Sequence, residues 1–599
     1  MRMEKTWLLA ALVAASPACA QQQQPVIDVN QLGFEPSDVK LAVLRGAGAE
    51  PMKWQLLDAN GNAVGTGETM VYGPDASSGA VVQRIDFSGF RRAGSGYRLS
   101  VAGVTSDRFT IAENVYRPLV RDAANFFYQQ RAGLPIDARF AGAAWARPAG
   151  HASEVAACFS GADERGTRWP GCNYRLDVTG GWYDAGDHGK YVVNGGIALW
   201  TLLNAYERRP AAFPDGALRI PESGNGVSDL LDEARWEMEF LLRMQIADGV
   251  RASVPTGPLG RSQLPPFVEI DAGGMAHQKV ADRTWTKLPM PPQNDPEERL
   301  LYPPTTGATL NLAATAAQCA RLWRGIDDAF AARCLAAARR AWAAAQRNPQ
   351  VFATSSFTGS GGYGDSSLSD EFYWAAAELY ATTGEAPFHQ AVAASPHFGE
   401  TVRAPGWNAT APLGTITLAT VKTGLTAAEL QRVRQAVIAG ADRILAQRRE
   451  NGYALAYRAV GYPWGSNGDL LNHAMLLGVA GDLTGDGKYR PGLVSAMDYV
   501  LGRNPLGQSY VSGYGTRPLR NPHHRFWAHV LDSKLPGPPP GVLSGGPNDT
   551  AMSDPVAAKL KGKCAPQTCW ADEIGAYALN EVAINWNAPL FWVAAWLED

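Results

Sequence analysis

The chain has 599 residues and nearly balanced charge, with 54 Lys and Arg against 57 Asp and Glu and a net charge of −3. Its 46% hydrophobic content excludes an intrinsically disordered protein, and the absence of a G-X-Y period excludes a collagen-like chain. We expect no nucleic-acid partner, because a phosphate backbone demands a basic excess. The 18 Trp, 20 Tyr and 19 Phe can serve both a core and a ligand with flat apolar faces, such as a sugar.

Residues 1–20 have the pattern of an export signal. Two basic residues precede an apolar run over residues 7–15, and residues 18–20 (Ala-Cys-Ala) fit a small-x-small cleavage site. The run is far shorter than the roughly 20 residues that span a bilayer. We therefore expect a secreted or periplasmic protein with no membrane attachment after cleavage. Lipid anchoring at Cys19 is the alternative, although Ser16 stands where a lipoprotein signal carries an aliphatic residue.

Six cysteines remain after that cleavage, an even number in a chain expected to meet an oxidising compartment. Proximity in sequence suggests the pairs Cys158–Cys172, Cys319–Cys334 and Cys564–Cys569. The middle pair lies in Ala-rich helical sequence, where buried free thiols are favoured instead. The first and last pairs are therefore the disulfide candidates.

Residues 26–112 differ from the rest of the chain in their pattern of apolar and polar residues. Short alternating runs recur at about ten-residue spacing between Gly, Asn, Asp and Ser, which is typical of a small β-sandwich. We predict an immunoglobulin-like all-β domain over residues 21–112 and a second, mainly α domain over residues 113–599. The predicted fold class is therefore multidomain.

From residue 114 onward, apolar residues recur at helical spacing. Candidate helices cover residues 117–131, 192–207, 228–246, 307–323, 327–346, 369–382, 427–449, 468–481, 489–502 and 576–597. No repeat with a fixed period of roughly 30–45 residues is present, which favours a closed ring of helices over an open solenoid. Two long segments without helical period, 249–305 and 504–575, are expected to form the walls of a cleft.

The segment GGWYDAGDHGKY (180–191) places Asp184 and Asp187 three residues apart, with Gly186 between them. A turn through glycine brings such carboxylates to one side, where together they can hold a water and remove its proton. The alternative is a calcium loop or a simple Asp-Gly turn.

Two further clusters carry polar side chains suited to chemistry. The segment 509–525 ends in His523, His524 and Arg525, which can donate hydrogen bonds to hydroxyls or a carboxylate, unless this is a solvated polar loop. Near the C-terminus, Glu581 begins an apolar helical stretch, where burial should raise the pKa of a carboxyl to suit a general acid. A Glu stabilised by the helix macrodipole is the alternative.

Together the three clusters resemble glycoside hydrolase family 9, a cellulase family with an inverting mechanism. The likeness includes the family's histidine signature, at Ser509, Val511, Ser512, Gly515, Arg517, Pro522, His523 and Arg525. It also includes the acid signature, at Trp570, Asp572, Tyr577, Glu581, Ala583, Asn587 and Ala588. The GGWYDAGD stretch resembles the base motif. Residues 26–112, with IDVNQLGF near their start, resemble the immunoglobulin-like domain of one branch of the family.

The resemblance implies an (α/α)6 barrel with a long open cleft for residues 113–599. By carry-over, Asp187 is the general base, Asp184 helps to hold the attacking water, and Glu581 protonates the leaving glycosidic oxygen. Inversion requires acid and base to lie about 6.5–9.5 Å apart with a water between them. The implied sugar contacts are His523, Arg525, Tyr577 and Asp572, with Trp464 and Trp285 as stacking aromatics unless they pack in the core.

The resemblance also bears on metals. Related enzymes with this domain order often hold a structural zinc with two Cys and two His, and Cys158 and Cys172 fit the thiolates. Asn173 and Tyr183 stand where the histidines are expected, so a disulfide is favoured over zinc. The histidines that zinc would need instead are His151 and His188.

A calcium turn is the second metal expectation, and no cofactor is required for the chemistry. The residues that resemble a calcium turn of the family are Ser366, Ser367, Asp370 and Glu371. Their hard oxygen ligands suit Ca²⁺. An ordinary Ser/Asp/Glu helix start is the alternative.

The resemblance therefore implies a hydrolase that cleaves β-1,4-glucosidic bonds of cellulose, soluble β-glucans or cello-oligosaccharides with inversion, and we expect endo action. The alternatives are an exo-acting cellodextrinase, a hydrolase of a related β-linked sugar (an amino sugar or mixed-linkage glucan), and a non-catalytic glycan-binding protein. Exo action would follow if the Pro-rich segment 535–549 closed one end of the cleft. The expected partner is the glucan itself, and we expect a monomer.

Overall fold

A computed structural model describes residues 25–258 and 264–598. The predicted export signal, residues 1–20, lies outside the described residues, and so does Cys19. The described chain is β-rich up to Ile111 and helix-rich after it, which confirms the predicted order of a β domain and a mainly α domain. None of the helices in these two ranges is long and apolar enough to cross a membrane.

The N-terminal region folds into two packed sheets, because its strands alternate between buried and exposed residues. The strands are β1 (Val26–Asp28), β2 (Gly33–Phe34), β3 (Leu41–Arg45), β4 (Lys53–Leu57), β5 (Ala63–Glu68), β6 (Met70–Asp75), β7 (Ala80–Asp86), β8 (Gly94–Val101), β9 (Val104–Thr105) and β10 (Phe109–Ile111). One sheet has the order β1-β3-β7-β6, and the other has the order β2-β10-β8-β4-β5 with β9 beside β8. Phe34, Phe87 and Phe109 pack edge-on or tilted between the sheets.

This β domain is joined tightly to the helical region. Val43 and Val82 belong to the main hydrophobic core of the chain. The Gln31 amide nitrogen donates to the Gly507 carbonyl at 2.7 Å, and its amide oxygen accepts from the Arg517 N–H at 3.0 Å. The β domain therefore holds the segment that leads into the predicted histidine cluster.

The helical region also contains strands, which the sequence analysis did not predict. They are β11 (Val155–Cys158), β12 (Ser160–Ala162), β13 (Arg168–Pro170), β14 (Arg175–Asp177), β15 (Lys190–Tyr191), β16 (Arg251–Pro255), β17 (Phe267–Asp271), β18 (Ala276–His277), β19 (Lys279–Asp282), β20 (Arg299–Leu301) and β21 (Pro304–Thr305). Five of them form a sheet in the order β14-β11-β20-β19-β15. Because these strands are short and interrupted by Gly and Pro, no alternating run is long enough to be recognised.

The helices alternate between deeply buried and one-sided elements. They are α1 (Arg117–Gln130), α2 (Ala138–Ala141), α3 (Val192–Arg208), α4 (Asp229–Arg243), α5 (Thr306–Trp323), α6 (Asp328–Arg347), α7 (Ser369–Thr383), α8 (Ala386–Ala394), α9 (Ala411–Thr420), α10 (Ala427–Ala446), α11 (Ser466–Thr484), α12 (Arg490–Val500), α13 (Pro555–Leu560), α14 (Tyr577–Asn580) and α15 (Ile584–Leu597). Helices α3, α5 and α9 are buried along nearly their whole length, whereas α1, α6 and α10 are buried on one face.

Contacts between successive buried helices close on themselves. Helix α3 packs against α5, α5 against α7, and α7 against α9, and α10 then bridges α9 and α11. Helix α15 packs against α11 and returns to α3, the first of the series. Helices α1, α4, α6, α8 and α12 pack against members of this series as a second layer.

The prediction of one helix over 576–597 is wrong near its start. The chain forms α14 and α15 with Glu581 in the break between them, so Glu581 does not begin a helix. The backbone at the break bonds to distant segments instead: the Glu581 carbonyl accepts from Gly545 N–H at 2.7 Å, and Ile584 N–H donates to the Asp184 carbonyl at 2.9 Å. These tertiary bonds replace the helical ones that periodicity predicts.

Arg131, at the end of α1, ties the helices to the 180–191 segment. Its guanidinium is fully buried and contacts both oxygens of Glu233 at 3.0 Å, and it also donates to Glu222 at 2.9 Å. The Trp182 indole N–H donates to the same Glu233 carboxylate at 2.9 Å. Removal of the arginine would leave a buried carboxylate without its counter-charge.

We expect Arg131→Met to lower the free energy of unfolding by about 3–5 kcal/mol, since breaking a buried ion pair from one side leaves the other charge uncompensated. Urea denaturation followed by tryptophan fluorescence measures the change. Arg139→Met is the matched control, because Arg139 is exposed and its pair with Asp137 lies in solvent. Equal losses of unfolding free energy in the two variants would contradict a stabilising role of the buried Arg131–Glu233 pair.

Candidate active site

A cleft of about 770 Å³ lies where the 180–191 segment, the 509–525 segment and the break before α15 meet. Its lining includes Asp184, Asp187, Tyr191, Trp285, Tyr363, Trp407, Trp464, His523, Arg525, Tyr577, Glu581, Asn585 and Trp586. The structure thus brings the three predicted catalytic carboxyls together, with every predicted sugar contact except Asp572.

The 180–191 segment forms a tight turn against the histidine segment. The Asp184 N–H donates to the Gly189 carbonyl at 2.9 Å, and the Arg525 N–H donates to the Gly186 carbonyl at 3.0 Å. A Cβ atom at position 186 would lie 2.1 Å from the His523 carbonyl oxygen. Only glycine permits this approach, so Gly186 allows the two segments to lie side by side.

Asp184 and Asp187 are both buried, and they bond to different partners. Asp184 accepts hydrogen bonds from the Tyr363 hydroxyl at 2.7 Å and from the Asn194 amide. Asp187 accepts from the Tyr191 hydroxyl at 3.3 Å. Each carboxyl is therefore fixed by the aromatic hydroxyl of a different segment.

The two carboxyls influence each other electrostatically. Burial raises the pKa of Asp184 from 3.8 to about 7, and the negative charge of Asp187 adds to this rise. The hydrogen bonds from Asn194 and Tyr363 lower it. Like charges in one buried site disfavour a second ionisation, so Asp184 retains a proton into the neutral range.

Glu581 reaches the cleft from the break between α14 and α15, where its backbone pairs with that of His523. Burial raises the pKa of Glu581 well above its ordinary value, and the charges of Asp187 and Asp184 raise it further. Arg525 and a hydrogen bond from Trp464 oppose this rise. A carboxyl that stays protonated at neutral pH can donate a proton to a leaving group.

His523 and Arg525 lie at the cleft wall, and His524 faces the core. The His523 Nδ1–H donates a hydrogen bond to the Ile574 carbonyl at 2.7 Å, which leaves Nε2 of the neutral ring as an acceptor. Arg525 donates to the Thr286 carbonyl at 3.1 Å. The His524 ring stacks on Trp527 with centroids 3.9 Å apart, which explains why adjacent histidines do not act together.

Aromatic side chains line much of the cleft. Trp285 and Trp464 are exposed, and the Trp464 ring lies 5.7 Å from that of Tyr577 at an interplanar angle of 36°. Such faces can stack on the apolar faces of sugar rings. Both tryptophans therefore lie at the cleft rather than in the core.

Asp572 does not line the cleft, contrary to its predicted role as a sugar contact. Its two carboxylate oxygens accept the backbone N–H groups of Arg520 at 3.0 Å and Asn521 at 2.8 Å. The Asn580 side chain also donates to it, at 3.2 Å. Asp572 therefore fixes the chain that carries His523, because its oxygens are already occupied by protein donors.

The cysteines form two disulfides in the described chain. Cys158 bonds to Cys172 and Cys564 bonds to Cys569, while Cys319 and Cys334 are buried free thiols. With both thiolates consumed, the residues present do not fit a zinc site with two Cys ligands. The Nδ1 atoms of His151 and His188 lie 2.6 Å from the Tyr183 hydroxyl and 2.5 Å from the Asp295 carboxylate respectively, while their buried Nε2 atoms have no hydrogen-bond partner.

An acidic cluster lies at the start of α7. Ligand oxygens of Asp365, Asp370 and Glu371 all lie within 4.8 Å of one another. Asp365, which the sequence analysis did not include, contributes in place of a serine: Ser366 and Ser367 are exposed and donate their backbone N–H groups to it. Buried Asp365 Oδ2 and Glu371 Oε2 have no hydrogen-bond partner. These orphaned oxygens fit a hard cation.

The Pro-rich segment 535–549 does not line the cleft. The Gly541 N–H donates to the Ser512 carbonyl at 2.9 Å, and the Gly545 N–H donates to the Glu581 carbonyl. A side chain at Gly541 would meet the backbone of α1. This segment supports the chain around Glu581 instead of closing one end of the cleft.

Several cleft residues escaped the sequence analysis. Tyr191 ends the GGWYDAGDHGKY segment and was detectable there. Tyr363 follows a run of glycines that shows neither helical nor strand periodicity, and its φ of 46° is unusual for a residue with a side chain. Trp407 and Asn585 carry no local signal, because their roles depend on distant partners.

We expect Asp184→Asn to stabilise the fold at pH 8 and to change stability little at pH 4. The pKa of Asp184 is higher in the folded state (about 7) than its ordinary 3.8, so its ionisation opposes folding as pH rises through this range. A tenfold difference in proton affinity corresponds to about 1.4 kcal/mol, so the gain at pH 8 should reach on the order of 4 kcal/mol. Urea unfolding at the two pH values measures it. The same gain at both values would contradict the pKa of Asp184.

The sequence matches two family profiles in the order in which the structure places the two regions. "Cellulase N-terminal ig-like domain" matches residues 22–106, and "Glycosyl hydrolase family 9" matches residues 116–594. The second match covers most of the chain and contains all three carboxyls of the cleft.

Curated relatives and a solved structure agree with these matches. Cellulose 1,4-beta-cellobiosidase of Acetivibrio thermocellus is 42% identical over 96% of this chain and 67% of its own length. Endoglucanase C of Cellulomonas fimi is 44% identical over 96% of this chain and 52% of its own length, so the chain spans about half to two thirds of these relatives. A metagenome-derived glycoside hydrolase family 9 endoglucanase is 34% identical, covers 95% of this chain and 98% of its own, and superposes with a TM-score of 0.82. The chain therefore belongs to glycosyl hydrolase family 9 and carries the N-terminal immunoglobulin-like domain of cellulases, which confirms the resemblance of its motifs.

Proposed function

We propose that the protein hydrolyses β-1,4-glucosidic bonds in cellulose, soluble β-glucans or cello-oligosaccharides with inversion of configuration. The observation that carries the proposal is the set of three carboxyls in one aromatic-lined cleft, two of them with raised pKa. A non-catalytic glycan-binding protein would need the aromatic faces but not buried carboxyls held at an energetic cost.

In the proposed reaction, Asp187 removes a proton from a water whose oxygen attacks the anomeric carbon. Asp184, beside Asp187, helps to hold that water. The bond to the glycosidic oxygen breaks, and Glu581 donates its proton to that oxygen as the leaving group departs. His523, Arg525, Tyr577 and Trp464 contact the sugars on either side of the scissile bond.

We favour endo action, because segment 535–549 lies beneath the Glu581 region and leaves the cleft wall to other residues. Exo action on cellodextrins is the second candidate, favoured by the likeness to a relative named as a cellobiosidase. Hydrolysis of another β-linked sugar is the third candidate, since the three carboxyls alone do not determine which sugar is bound.

The helix contacts support an (α/α)6 barrel for the catalytic region, with the buried helices as its inner ring. The proposed boundaries are an export signal over residues 1–20, the immunoglobulin-like domain over 21–112 and the catalytic domain over 113–599. Secretion or export to the periplasm follows from the export signal, and the proposed active form is a monomer.

The acidic cluster is proposed as a structural calcium site held by Asp365, Asp370 and Glu371. Calcium there would neutralise three carboxyls at the start of α7 and stabilise the turn that carries Tyr363. The chemistry itself needs no cofactor. One oxygen each of Asp365 and Glu371 is buried without a hydrogen-bond partner, and a bound cation would give both oxygens a partner.

We expect Glu581→Gln to lower kcat on carboxymethylcellulose and cellotetraose by about 10²–10⁴-fold, the typical contribution of a general acid. On 2,4-dinitrophenyl β-cellobioside, whose leaving group needs no protonation, the same variant should retain most of its activity. Asp187→Asn is the matched control and should lose activity on both substrates, since water activation is needed for each.

Anomeric NMR of cellotetraose hydrolysis identifies the first product as α if the reaction inverts. A β product, or full activity of Glu581→Gln on cellotetraose, would refute the mechanism. A rapid fall in the viscosity of carboxymethylcellulose relative to reducing ends separates endo from exo action.

We expect calcium to raise the melting temperature of EDTA-treated protein by several degrees, because a ligand that binds only the folded state stabilises it. Asp370→Asn should abolish this dependence, whereas Asp486→Asn, on an exposed turn, should preserve it. Differential scanning calorimetry measures both. Identical melting temperatures in calcium and in EDTA would exclude the site.

A further inference from the structure

Lys279 is a buried amine near the cleft that the proposed reaction does not use. It begins β19, is 2% exposed, and pairs in register with Tyr191 of β15. Its Nζ atom lies over the Tyr302 ring at 4.7 Å and the Tyr191 ring at 5.5 Å. Burial lowers the pKa of Lys279 to about 7, and the charge of Asp187 opposes this fall.

The Lys279 side-chain nitrogen holds one peptide of the cleft wall. It donates to the Gly361 carbonyl, and the Gly361 N–H donates to the Tyr191 hydroxyl at 2.7 Å. The Gly361 backbone is thus fixed on both its donor and its acceptor side. The neighbouring Gln278 side chain donates to the Tyr363 carbonyl at 3.2 Å, so the same strand region holds the turn at two points.

The turn over 361–363 needs such support. Tyr363 adopts a left-handed φ of 46°, which a residue with a side chain holds only when its surroundings enforce it. In this conformation its hydroxyl reaches the Asp184 carboxylate at 2.7 Å. Loss of a bond on one side of Gly361 would allow the turn to relax and the hydroxyl to leave Asp184.

We propose that Lys279 is a positioning residue for hydrolysis: through Gly361 it holds the turn that sets the Tyr363 hydroxyl on Asp184. Lys279 does not line the cleft, so it acts on the carboxyl and not on the sugar. The proposal rests on the proposed function, since this contact matters to catalysis only if Asp184 helps to hold the attacking water.

The test uses Lys279→Met, Tyr363→Phe and the double variant of the full chain, with cellotetraose as substrate. We expect Lys279→Met to lower kcat by about 10- to 100-fold with KM within about twofold, because a small misplacement of a catalytic group costs rate more than binding. The double variant should be no slower than Tyr363→Phe alone, since both changes remove the same contact. Lys422→Met, on an exposed loop, is the matched control and should leave kcat unchanged.

A folded Lys279→Met enzyme with wild-type kcat, or losses that multiply in the double variant, would overturn the proposal. If circular dichroism shows that Lys279→Met does not fold, Lys279→Gln is used instead. This variant retains a donor for the Gly361 carbonyl and should keep more than half of the wild-type kcat. A loss of kcat as large as that of Tyr363→Phe would count against the positioning role of Lys279.

A crystal structure of the Lys279 variant gives a readout that does not depend on activity. The Tyr363 hydroxyl should lie beyond hydrogen-bond distance of Asp184, and an unmoved Tyr363 would contradict the proposal. If the wild type hydrolyses no β-glucan, the proposed function fails, while a displaced Tyr363 in the Lys279 variant still shows that Lys279 holds the turn.

Discussion

The active-site region depends on one close contact, between Gly186 and the backbone of His523. A methyl group at position 186 would overlap the His523 carbonyl, so the segment with the two aspartates can approach the histidine segment only through a bare Cα. The His523 backbone in turn pairs with that of Glu581. Three distant parts of the chain therefore meet along one line of backbone contacts, and the carboxyls project from that line into the cleft.

The same arrangement raises the pKa of two of the three carboxyls. Asp184 is buried and Glu581 is half-buried beside other carboxyls, and desolvation with like charge raises the pKa of each. Arg525 and Trp464 moderate the rise at Glu581, while Asn194 and Tyr363 moderate it at Asp184. The protonation of these carboxyls near neutral pH is thus set by their surroundings and not by residue type.

Local patterns predicted the long amphipathic helices and the three chemical clusters, because each depends on neighbours within a few turns. Helix α9 escaped prediction: it is apolar on every side and contains Pro and Gly, so it shows no amphipathic period. The break at Glu581 and the left-handed Tyr363 were also missed, since backbone bonds to distant segments impose them. Asp572 was given the wrong role because a motif position does not tell which donors its oxygens meet.

Closure of the helix series has a consequence for the order of folding. Helix α15, the last helix of the described residues, completes the series by packing against α3, and the residues just before it include Glu581. Contacts between segments far apart in sequence form late in folding, because closing a long loop costs conformational entropy before the contacts can stabilise it. Until α15 packs against α3, Glu581 has no fixed place beside Asp184 and Asp187, so the three cleft carboxyls come together only when the helix series closes.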